Sequence, residues 1–264
     1  MPIELPILIE QQVIGFVLIF FRIAGLMLFA PLFGSSRIPR RFKVLIALVL
    51  TLPMISKGLP STIPIPQSVG LMTLGLGGEL IFGMTMGMIV SFVFIAAQWA
   101  GEMVGQQIGF NISEVLDPQY GGGGSLVGDL YFMIATVAFL TIGGHLQLVM
   151  GIYESFNTLP PLSAYFSPSL LDFILQYWKA ATSLALRMAA PMFVTMMIVD
   201  VAMGCISKTM PQMNVMSAGM AIRGLVGTFV LALSIASVGQ VLGGSLEHHL
   251  KGVFEYIGTR PGSL

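Results

Sequence analysis

The chain has 264 residues, of which 55% are hydrophobic and 9% charged, with a mean hydropathy of +0.89. A soluble domain carries roughly 25% charged residues, so this composition belongs to a polytopic membrane protein. Twelve Lys and Arg balance twelve Asp and Glu, which leaves no net charge to draw the chain to nucleic acid, and the single Cys205 excludes an internal disulfide or a cysteine metal cluster.

The chain opens with MPIELPILIEQQ, where Glu4 and Glu10 stand in place of the Lys or Arg of a secretory leader. The first apolar run is therefore expected to stay attached. That run, residues 13–33, is long enough to cross a bilayer and holds Arg22 near its middle. A basic turn with Arg37, Arg40, Arg41 and Lys43 follows. Residues 42–55 form a short apolar run that ends near Pro53 and spans poorly by itself. Residues 57–67 are a proline-rich extended connector, because each proline fixes φ and removes a donor.

Residues 69–99 are apolar for longer than one straight crossing. They predict one tilted helix, or two pieces broken near Gly75, Gly77 and Gly78, beside Glu79. Residues 100–126 then bring glycine, amides and carboxylates into the middle of an apolar chain, and read as a central loop. A loop of that size is either functional or disordered. Apolar character resumes over 127–153. A connector with Pro160, Pro161 and Pro168 leads into residues 170–206, a long helix that Pro191 should kink or break. SKTMPQMN interrupts, and residues 215–242 form the last apolar run. Residues 243–264 read as a frayed polar tail. The whole predicts one all-α domain over residues 1–264, a polytopic hydrophobic protein of broken helices and helical hairpins.

Four charges, Arg22, Glu79, Arg187 and Asp200, lie inside apolar runs. Each costs about 2.5–3.5 kcal/mol at a bilayer centre, so they are expected to be paired or turned toward a wet interior, as structural ion pairs or at subunit contacts. Gly83 and Gly87 are four apart, and Gly101, Gly105 and Gly109 repeat the interval. On a helix this spacing allows a neighbouring backbone to approach closely. The basic residues fall on both sides of the membrane under any count of crossings, so topology is left open.

Motifs for catalysis are missing. The chain has no phosphate-binding loop, nucleophile elbow or His-Glu-x-x-His. His145 reads as a helix histidine bonded to backbone, and His248 with His249 as a solvated pair. Glu102, Glu114, Asp117 and Asp129 have no His or Cys beside them for a metal site. No enzyme activity, catalytic residue, cofactor or metal is expected. A secondary transporter of a small solute, with Arg22 and Glu79 in a midplane site, is the competing reading. Such transporters have two hydropathy-related halves, and none are visible here.

Three stretches carry a resemblance: APLFGSSRIPRRFK (30–43), AGEMVGQQIGFNISEVLDP (100–118) and ALRMAAPMFVTMMIVDVAMGCISKTMPQMNV (185–215). Together they resemble the FliR family of flagellar biosynthetic proteins and its virulence-secretion relatives, in order, spacing and total length. GEMVGQQIGF and MPQMNV are the most specific pieces. GMAIRG (219–224) departs from the family pattern, although Arg223 retains a basic residue, and so does the run of four glycines after Asp117–Pro118. The resemblance implies a subunit of the bacterial flagellar type III protein export gate, in the inner membrane at the flagellar basal body. FliP-type copies and one chain of this kind would form a helical ring, with FliQ-type hairpins outside and a FlhB-type subunit abutting it. Membrane lipid and unfolded secreted flagellar proteins would be the other partners.

In such gates much of the assembly stands above the membrane plane, so helices of membrane length need not span. The resemblance also implies that the central loop projects into the channel as a plug. Gly105, Gln106, Gly109, Phe110, Asp117, Pro118 and Gly121, Gly122, Gly123 and Gly124 would form plug and channel. Phe110 would seal a constriction, Asp117–Pro118 would keep a helix from re-forming, and the glycines would permit displacement by a passing chain. Arg22, Glu79, Gly101, Arg187, Asp200, Pro211, Gln212 and Asn214 would serve subunit packing or hold buried charge, with Pro211 fixing a tight turn.

Overall fold

The computed structural model describes residues 4–34, 38–56, 68–110, 125–159, 162, 168–210, 212 and 215–258. Every regular element among them is a helix: α1 (Glu4–Phe29), α2 (Arg40–Ser56), α3 (Val69–Ile108), α4 (Leu126–Thr141), α5 (Gly144–Thr158), α6 (Pro168–Thr209) and α7 (Val215–Gly258). Four helical segments, Gln12–Phe29, Val69–Ile108, Leu170–Thr209 and Ser217–Gly258, are long and apolar enough to cross a membrane. The pair α4 and α5 becomes a fifth if its two bent halves count as one span.

Backbone contacts divide the chain into two compact units. The first comprises residues 1–92, 143–178 and 246–264, and the second comprises residues 93–142 and 179–245. Helices α3, α6 and α7 each contribute to both.

In the first unit, α1 and α3 run parallel and touch through backbone. A Cβ at Gly83 would overlap the Arg22 carbonyl oxygen, one at Gly25 would overlap that of Leu80, and one at Gly87 would sit 2.7 Å from the Ala30 nitrogen. The i, i+4 pair read from the sequence thus forms a helix seam, joined by Gly25 from the facing helix. The Ser91 hydroxyl donates to the Phe29 carbonyl at the end of this seam. Leu18, Ile19, Ile23, Leu26 and Met27 of α1 are fully buried around it. Ile14 and Leu18 also pack with Met72, Leu76 and Leu162.

In the second unit, Phe94 of α3 packs edge-on to Phe132 and Phe139 of α4, with ring centroids 5.6 Å apart in both pairs. Such pairs contribute about 0.5–1.5 kcal/mol beyond their buried area. Much of the rest is left uncovered: Val194, Met197, Ile198 and Val201 on α6, and Leu225, Phe229 and Leu233 on α7, are exposed.

Several expected boundaries move. The stretch Val69–Ile108 is one helix, so residues 100–108 of the segment read as loop are helical. Helix α6 continues through Pro191, and the break falls instead between α4 and α5, at residues 142 and 143. Gly143, with φ of 66°, occupies the left-handed conformation at that corner. The segment read as a polar tail continues α7 to Gly258. Leu246, Leu250, Val253 and Ile257 recur at helical spacing and are buried, which holds this end in place. His249 is buried there too, packed edge-on to Tyr177, while His248 is exposed, so the two do not form a solvated pair.

Candidate functional site

The two flanks of the central loop lie in the second unit, and each is fixed by a local device. The departing flank ends at Gly109, whose φ of 94° L side chains rarely adopt. The Phe110 N–H donates to the Gly105 carbonyl at 3.0 Å, and the Gly109 N–H donates to the Gln106 carbonyl at 3.2 Å. This is the Schellman arrangement, in which a left-handed residue lets two orphan carbonyls find donors after the last helical turn. Gly105 is buried, Gln106 is exposed, and the Phe110 ring is 42% exposed. Ile108, the last helical residue, is anchored: a Cβ at Gly227 of α7 would come within 2.6 Å of its Cγ1 and 2.7 Å of the Met196 methyl.

The returning flank starts at Ser125, whose hydroxyl accepts the Gly128 N–H at 3.3 Å and caps α4, with Asp129 in the first turn. The two flanks meet behind the loop. A Cβ at Gly101 would lie 2.5 Å from the Val127 carbonyl oxygen and 2.6 Å from the Gly128 Cα. The segment between Phe110 and Ser125 therefore leaves and re-enters a packed helix pair. Asp117, Pro118 and Gly121 through Gly124 lie outside the described residues, as do Pro211 and Asn214.

Substituting Gly109 with Ala would force a Cβ into the left-handed region, at a cost of about 1–2 kcal/mol. Amide exchange in the last turn of α3 is expected to quicken by roughly tenfold, with the centre of that helix unchanged.

The embedded charges resolve into two different arrangements. Arg22 and Glu79, in the first unit, are fully buried and paired, with Arg22 Nε 2.5 Å from a Glu79 oxygen. The guanidinium also donates to the Ser155 hydroxyl at 2.9 Å and to the Leu159 carbonyl at 3.2 Å. The second Glu79 oxygen accepts the Leu162 N–H at 2.9 Å. The Phe82 and Phe156 rings lie 4.9 and 4.1 Å from the guanidinium carbon. The pair ties α1 to α3, to the end of α5 and to the turn beyond it. Its donors and acceptors are spent on protein partners and no solvent reaches it, so it does not present a solute-binding site.

Asp200 and Arg223, in the second unit, join α6 to α7 at 2.5 Å but remain nearly half exposed, at 46% and 44%. A cleft of about 550 Å³ surrounds them, lined also by Met203, Gly204, Ser207, Gly219 and Met220. Arg223, in the stretch that departs from the family pattern, thus has an acidic partner 23 positions earlier. Arg187 is exposed on α6, and Gln212 is exposed in the turn between α6 and α7. Sequence reasoning did not find Ser155, Leu159 and Leu162 as partners of the buried pair, nor Gly128 as the surface that receives Gly101.

A model of the family described as Bacterial export proteins, family 1, matches residues 13–249. The chain belongs to the FliR family of bacterial export proteins. Flagellar biosynthetic protein FliR of Bacillus subtilis (strain 168) is 30% identical over 230 residues, which cover 85% of this chain and 86% of that one. FliR of Aquifex aeolicus (strain VF5) is 26% identical over 94% of this chain and 95% of its own length. Surface presentation of antigens protein SpaR of Shigella flexneri is 24% identical, covering 83% and 84% of the two chains. Both flanks of the central loop, the glycine seam and both ion pairs lie within the span that matches the FliR family.

Proposed function

We propose that this chain is a subunit of the flagellar type III export gate, and that its central loop plugs the conduit through which unfolded flagellar proteins leave the cytoplasm. Family membership supports the role in export. The observation that supports the plug is the construction of its two flanks. Gly101 presses on Gly128 behind the loop, while Gly109 ends the helix in front of it. A closed gate must stop ions and still yield to a moving polypeptide. A glycine-rich segment between two packed helix ends suits both demands, because each end is fixed by its own local contacts.

The exposed apolar rows on α6 and α7 suit contact with FliP-type and FliQ-type neighbours in a ring at the basal body, and a FlhB-type subunit would abut the same assembly. Contiguous exposed apolar surface of this kind marks protein or membrane contact.

Deleting residues 110–122 is expected to make cells carrying the assembled gate leaky to small ions or dyes. Gly123 then supplies the N–H that follows Gly109, so the helix end is kept. Dye uptake should rise while the gate proteins still copurify. Unchanged uptake in cells where the complex demonstrably assembles would count against the plug.

A further inference from the structure

Helix α2 has two faces of opposite fate. Ala47 and Thr51 are fully buried, and the helix packs on α1. On the other side Phe42, Leu45, Val49 and Leu52 recur as one stripe and are each more than half exposed, with Val44 and Leu48 exposed beside them. No polar side chain interrupts the stripe. Thr51, on the opposite face, satisfies its hydroxyl inside the helix by donating to the Ala47 carbonyl at 2.7 Å, as a hydroxyl away from water must. Arg40, Arg41 and Lys43 stand at one end, and among the described residues none of them forms an ion pair. The helix contains no acidic residue.

We infer that α2 docks against a single leaflet of the membrane, its apolar stripe among the acyl chains and Arg40, Arg41 and Lys43 on the phosphates of anionic phospholipids. Dimensions and charge select this occupant. The stripe from Phe42 to Leu52 is about 16 Å long at 1.5 Å per residue, which matches one half of a hydrocarbon core of about 30 Å. The apolar part of this helix, residues 44–55, is shorter than the roughly 20 apolar residues of an ordinary crossing and carries Pro53 near its far end. Cations with no ion-pair partner among the described residues, at one end of a lipid-length apolar stripe, complement the negative headgroups of the cytoplasmic leaflet. A buried subunit interface would leave the same cations without acidic partners unless the neighbour supplied them. That case is the alternative which the experiment separates.

The test uses the chain within its copurified gate complex. A photoreactive benzoylphenylalanine is placed at Leu45 or Leu48, cells are irradiated, and the adduct is weighed. A phospholipid adduct is expected; an adduct to another gate protein as the main product overturns the proposal. In a second arm, complexes with Arg40→Gln, Arg41→Gln or Lys43→Gln are reconstituted in nanodiscs of mixed phosphatidylglycerol and phosphatidylethanolamine. The preference for phosphatidylglycerol should fall by roughly fivefold for each charge removed. A preference that does not change refutes the headgroup assignment. Should a substituted complex fail to assemble, the photoadduct on the unaltered basic residues decides alone.

Discussion

Replacing Glu79 with Ala is expected to lower the stability of the gate complex by about 3–5 kcal/mol, the largest effect of any single substitution considered for this chain. The reason is what remains. Arg22 has no solvent, and without its carboxylate a cation would stay buried beside two aromatic rings, a hydroxyl and one carbonyl. The Leu162 N–H would lose its acceptor as well. Thermal unfolding of the purified complex, with the yield of assembled gate, measures the loss.

The double variant Arg22→Met, Glu79→Met provides the contrast. Apolar side chains in place of a buried ion pair are often neutral or stabilising, so the double variant should recover most of what the single one loses. Recovery of the fold together with normal export would mark the pair as structural. A Glu79→Ala complex as stable as the parent would show that this description of the pair is wrong.

Gly101→Val is expected to have the second largest effect. Its new carbon would meet the Val127 carbonyl oxygen and the Gly128 Cα, both main chain, which cannot swing aside as the tip of a side chain can. Overpacking of this kind costs typically 1–3 kcal/mol, occasionally more. Here the cost falls where the loop leaves and rejoins its supports. The predicted result is a gate that assembles poorly, or that assembles and leaks dye. Gly77→Ala on the same helix is the control, since a Cβ there meets nothing within 4 Å. It should assemble normally and be slightly more stable, because alanine favours a helix interior over glycine by about 1 kcal/mol. If Gly101→Val behaves like this control, the close approach of the two flanks does not matter to the gate.

Much of the architecture was visible in the residues because long apolar runs in a membrane protein are helices of membrane length. The interval between Gly83 and Gly87 announced a seam, but its partner helix was invisible, since Gly25 is 58 positions from Gly83. The same distance hid the environment of Arg22. Its charge demanded a partner, and only folding brings Glu79, Ser155 and Leu159 to it. Other features were misread although their signals were present. Glu247, His248, His249 and Lys251 drew attention to polarity near the C-terminus, while Leu246, Leu250, Val253 and Ile257 kept helical spacing among them. Pro191 was given too much weight as a breaker, and Ile142–Gly143–Gly144, where the chain actually turns, too little. The GQQIGF stretch contained its own stop signal, a glycine placed one residue past the last turn.

The α1–α3 seam has a mechanical consequence. Sliding α3 by one residue against α1 would rotate it by about 100° and bring side chains such as Phe82 or Met84 to where Gly83 now admits bare main chain. The joint therefore excludes the register one residue away. Such a joint resists sliding as a stiff strut does, and elastic give must come from parts of the chain where helices do not meet backbone to backbone.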